Sequence, residues 1–124
     1  MFKLANNESF TYPVTVEVNS NGGAIRKDKF TATFKRLGTS EVTTWVDRLV
    51  EAGRQGLDSL FQTQRELAQE VVINWQDVVG DDGAPVTFSP ERLAEALEIH
   101  PVPSSIANAW MEAVSGGAKT KNLR

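Results

Sequence analysis

Two strictly alternating runs around a glycine-bearing turn, then apolar residues at three- and four-residue spacing, predict an α+β fold. The expected architecture is an N-terminal antiparallel β-hairpin followed by about four α-helices in one compact domain. A length of 124 residues suits a single domain over 1–117, with a mobile basic tail at 118–124.

The hairpin is expected over about 12–36. Val14, Val16 and Val18 share one strand face, with Thr15 and Glu17 on the other. Asn19-Ser20-Asn21-Gly22-Gly23 supplies residues that tolerate positive φ, as a hairpin turn requires. The return strand points Phe30, Ala32 and Phe34 inward and Lys29, Thr31, Thr33 and Lys35 outward. Lysines on an edge strand also discourage unwanted pairing.

The period changes after Gly38. Thr39 or Ser40 can cap a helix over about 40–53, and Glu41 suits its positive end. Val42, Trp45, Val46, Leu49 and Val50 form its apolar stripe, and Gly53 and Gly56 predict a break. A second helix is expected over about 57–75, its stripe running from Leu57 through Leu67, Val71 and Val72 to Trp75, interrupted by the polar Gln64. Val71-Val72-Ile73 is equally compatible with a strand. Asp81-Asp82-Gly83 reads as a turn, and Pro85–Phe88 as extended chain. Ser89-Pro90-Glu91 opens a third helix over about 90–99 with a cap, a proline at the first position and an acid on the dipole. His100-Pro101-Val102-Pro103 ends it. Ser104 is the expected cap of a last helix over about 104–115, whose buried side carries Ile106, Ala109, Trp110, Ala113 and Val114.

Composition narrows the chemistry. There is no cysteine, which excludes disulfides, thiolate metal sites and thiol nucleophiles and fits a reducing compartment. No apolar run is long enough to cross a bilayer, and the N-terminus lacks the features of a signal peptide. The expectation is a soluble intracellular protein. Residues 1–37 hold six Lys/Arg against three Asp/Glu, whereas residues 38–118 hold four against thirteen. The acidic middle disfavours nucleic acid, and the basic front and acidic body can attract one another within or between subunits.

No catalytic or metal constellation emerges. The one histidine, His100, has no partner set in sequence and suits a helix C-terminus. Ser104 and Ser105 lack a nucleophile-elbow motif. Asp77, Asp81 and Asp82 lack the ligand spacing of a calcium loop, and Glu91, Glu95 and Glu98 read as a solvated helix flank. Neither glycine pair is followed by the residues of a phosphate loop. The reading is non-enzymatic, with no catalytic residue, cofactor or metal. Trp45, Trp75 and Trp110 all fall on apolar helical stripes; core packing competes with an interface role, because tryptophan is enriched at binding hot spots.

The second half carries a more particular pattern: Asn74-Trp75-Gln76-Asp77-Val78-Val79, then Asp81-Asp82-Gly83-Ala84-Pro85-Val86-Thr87-Phe88-Ser89. A helix with Leu93 and Leu97, a further helix centred on Trp110, and Gly117, Ala118, Lys121 and Asn122 follow. Over roughly residues 71–124 this resembles the tail assembly chaperones of long-tailed bacteriophages, encoded by phage or prophage. The resemblance implies a non-enzymatic protein that binds the tape-measure protein, keeps it soluble, and leaves as tail-tube subunits assemble around it. The tail-tube protein is a further candidate partner. Self-association is expected, and neither nucleic acid nor membrane is. The implied location is the host cytoplasm rather than the finished virion. Family members are often made in two lengths by frameshifting near the end of the short form, and a slippery codon pair at Lys121-Asn122 would permit the same here. Trp45 and Trp110 are the candidate client-interface residues. A structural tail or neck component, or a small bacterial adaptor, is the competing reading.

Overall fold

The computed structural model of the protein describes residues 1–5 and 8–116. The expected basic tail at 118–124, and Gly117 before it, lie outside the described residues. Strands β1 (Ser9–Asn19) and β2 (Ile25–Lys35) pair antiparallel, with Val14 opposite Phe30 and Val16 opposite Asp28. A 3₁₀ turn at Asn21–Gly23 joins them, and Gly22 (φ 71°) and Gly23 (φ 81°) supply the left-handed backbone it needs. The alternation has the predicted sense: Val14, Val16, Ala32 and Phe34 are buried, while Thr15, Glu17 and Lys29 are exposed.

The hairpin is part of a larger sheet. A third strand, β3 (Val72–Gln76), pairs antiparallel with β2, giving the order β1-β2-β3. The helix expected over 57–75 therefore stops at Val71, and the strand alternative for this stretch holds. Trp75 sits on a strand and not on a helical stripe.

Helix α1 (Thr39–Gln55) starts one residue earlier than expected, with Gly38 at the cap position. The Glu41 carboxylate accepts a hydrogen bond from the Gly38 N–H at 3.2 Å, so the acid serves the helix start directly. Gly53 lies within α1 and makes no break; the chain turns only at Gly56, at φ 129°. Helix α2 (Leu57–Val71) folds back along α1 and buries Gln64, Leu67, Ala68 and Val71. Helix α3 (Pro90–Leu97) begins as predicted, the Ser89 hydroxyl accepting from the Arg92 N–H at 3.0 Å. Helix α4 (Val102–Val114) starts two residues before the expected position, after a cis His100–Pro101 bond. Ser104 is consequently no cap; its hydroxyl donates to the Gln64 side-chain oxygen at 2.9 Å.

One face of the sheet packs against α2 and α4, and the core lies between them. Trp110, Phe34, Leu67, Ile106, Val14 and Val71 are its largest fully buried side chains. Each such burial favours folding by about 1.5–3 kcal/mol. The segment after β3 closes the open end. Gly83 (φ 78°) makes the predicted turn, Val79 bridges Pro85, and the Trp75 indole N–H donates to the Val86 carbonyl at 2.8 Å. Phe88 meets Trp75 edge-on at 5.2 Å.

Candidate functional site

The two candidate interface tryptophans have different surroundings. Trp110, on α4, is 1% exposed and belongs to the core, because α4 turns this stripe onto the sheet. That corrects its reading as a residue offered to a client. It closes the floor of a hollow of about 350 Å³ walled by Phe10, Leu37, Val42 and Val114.

Trp45 stays at the surface. It is half-buried on α1 and lines a shallow hollow of about 380 Å³ with Ser40, Thr44, Arg48 and Glu70. The Arg48 guanidinium lies 4.2 Å from the centre of the Trp45 ring, within cation–π range. Arg48 also pairs with Glu66 on α2. Glu66 in turn accepts from the Gln62 amide at 3.0 Å. That hydrogen bond, aided by Arg48, lowers the Glu66 carboxyl pKa below its ordinary value. Lys35 on β2 pairs with Glu70 at the other wall. Trp45 is thus framed by polar groups that hold one another in place, with Arg48 lying over its ring.

The apolar stripe predicted for α1 is present and incompletely covered. Val42, Trp45, Val46 and Leu49 are only partly buried, and Ala52 is the one fully buried residue on this 17-residue helix. Val50 is 53% exposed, and Leu57, just past the Gly56 turn, is 66% exposed. Helix α1 rests chiefly against α2, and its stripe packs at the margin of the core without being fully buried there. Val42 links the two tryptophans: it precedes Trp45 by one turn and walls the hollow above Trp110. The periodicity of residues 42–50 located this face. The link from Arg48 to Glu66 left no mark in the sequence, because it joins α1 to α2.

Among the described residues, no group of three or more His, Asp or Glu stands together as metal ligands would. His100 is exposed and packs its ring against Phe61 at 5.6 Å. Glu91, Glu95 and Glu98 are exposed, with Glu95 paired to Arg92 at 3.1 Å. No described helix is long and apolar enough to cross a membrane. No family model, curated protein or solved structure matches the chain.

Proposed function

We propose that the protein is a non-enzymatic tail assembly chaperone of a phage or prophage, which holds a tape-measure protein ready for assembly. The observation that carries this reading is the incompletely covered apolar stripe of α1 around Trp45. A helix that buries one residue fully while leaving a tryptophan and several aliphatic side chains half-open is suited to receive the apolar face of another helix. The resemblance of residues 71–124 to this family names the client. A tape-measure protein offers long apolar helical surface, and many copies of a small domain along it would gain avidity. In this reading the protein acts in the host cytoplasm, with the tail-tube protein as a further candidate partner, and is left out of the finished virion.

Co-expression with the tape-measure protein encoded alongside it is the test. Soluble, co-purifying client in the presence of the chain, and aggregated client without it, is the expected result. Client that aggregates regardless overturns the reading, as does recovery of this chain in purified virions at stoichiometric amounts.

A further inference from the structure

Besides the outer edge of β3, the sheet has two unpaired strand edges, and they differ in charge. β1 is an outer strand. The Glu8 carbonyl accepts from the Arg36 N–H, and the Ser20 N–H donates to the Ala24 carbonyl, so even-numbered β1 residues carry the bonds to β2. Thr11, Thr15 and Glu17 therefore turn their N–H and C=O groups outward, and Pro13, which has no N–H, occupies an edge position that tolerates it. Along this edge runs a groove of about 480 Å³, walled on its far side by α4. Its lining includes two carboxylates, Glu17 and Glu112, and no lysine or arginine.

The second edge belongs to β2. β3 pairs with β2 only from Thr31 onward, so the arm Ile25–Lys29 extends beyond it. Ile25, Lys27 and Lys29 present outward backbone groups there, by the same alternation. Residues 25–29 are exposed throughout, with Ile25 59% exposed, and they carry Arg26, Lys27 and Lys29 against Asp28 alone.

We infer that the β2 arm Ile25–Lys29 of one copy pairs with the β1 edge of a second copy, in the groove beside α4. Both outward rows are odd-numbered, and residues paired across a sheet share a face. Glu17 and Lys27 already stand opposite each other within the chain, their charges 4.0 Å apart. An arriving arm therefore brings Lys27 and Lys29 onto the face of the receiving sheet that carries Glu17. Edge lysines ordinarily discourage pairing. Here they repel a second arm and leave the acidic edge as the matched partner. The two surfaces are different, so the growing assembly keeps a free arm at one end and a free groove at the other, and the contact builds an open chain and not a closed dimer. No client enters this inference, and it stands apart from the function proposed above.

Sedimentation velocity on the full chain, over a concentration series at low and high salt, tests it. The expected result is a mass that rises with concentration at low salt and falls toward monomer as salt screens the contact. Lys27→Glu with Lys29→Glu, and separately Glu17→Lys, should each weaken association by at least about tenfold. An equimolar mixture of the two should restore it, because each variant retains the surface its partner has lost. Thr15→Pro removes an outward N–H without changing charge and should weaken association as well. These residues are exposed, and circular dichroism verifies that each variant is folded. A monomer under every condition, association undiminished by the reversals or by Thr15→Pro, or a mixture that stays dissociated overturns the inference.

Discussion

The Gln64 side-chain oxygen accepts a hydrogen bond from the Ser104 hydroxyl at 2.9 Å, joining α2 to α4 through the one buried polar side chain among the described residues. Gln64 is 6% exposed, so removing its partner leaves an amide oxygen away from water. Ser104→Ala should lower stability by about 1–3 kcal/mol in urea denaturation. Combining it with Gln64→Leu should recover much of that loss, since an apolar pair of similar shape has no unmet hydrogen bond. Equal losses in the single and double variants would show that shape, not the polar contact, sets the effect.

Trp110 and Trp45 should separate stability from binding. Trp110→Ala empties a fully buried site and should cost about 3–5 kcal/mol, enough to unfold much of a small domain. Trp45→Ala removes a half-buried ring and its contact with Arg48, a loss of about 1–2 kcal/mol. The Trp45 variant should stay folded by circular dichroism and lose co-purifying client. A folded Trp45→Ala protein that holds its client as well as the parent would remove α1 from the proposed interface.

Trp75 fastens the segment after β3 through its indole N–H to the Val86 carbonyl. Trp75→Phe keeps an aromatic ring against Phe88 and loses the hydrogen bond, a change of about 1 kcal/mol. The Val86 amide, which donates to the Val78 carbonyl at 2.8 Å, should then exchange its hydrogen faster than amides of α2. Unchanged exchange at Val86 would mean that the turn holds itself.

The sequence made the hairpin legible because a strand with one buried face alternates with period two, and Val14, Val16, Ala32 and Phe34 obey that rule. β3 hid itself for a physical reason. Between Thr33 and Phe34 the register shifts, so Val72 faces Phe34 and Trp75 faces Ala32 while Ile73 is the extra residue of a bulge. Val72 and Trp75 thus share the buried face three residues apart, which is helical spacing, and they continue the stripe of α2 without a visible join. Trp110 and Trp45 looked alike in sequence because periodicity assigns a face to a helix but not what that face meets. Packing decided: α4 lies on the sheet, and α1 lies outside α2. The acidic groove beside β1 brings together residues about a hundred positions apart, and no local pattern signals such a pairing.

Tyr12 and Glu112 supply a pH test at that groove. The Tyr12 hydroxyl donates to the Glu112 carboxylate at 2.6 Å, tying β1 to α4. This hydrogen bond, then burial and the carboxylate charge, raises the phenol pKa above its ordinary value of 10.0. The protonated phenol is the form the fold favours. The stabilisation is therefore complete below the unfolded value and is lost as pH rises from there through the raised folded value. Tyr12 is the single tyrosine in the chain, so ultraviolet absorbance of phenolate reports this site alone. The folded protein should titrate above the denatured protein, and Glu112→Ala should bring the two midpoints together. Resistance to urea should decline across the same alkaline window in the parent and change less in Glu112→Ala. Coincident titration of folded parent and variant would mean that β1 and α4 are held by apolar packing, without this bond.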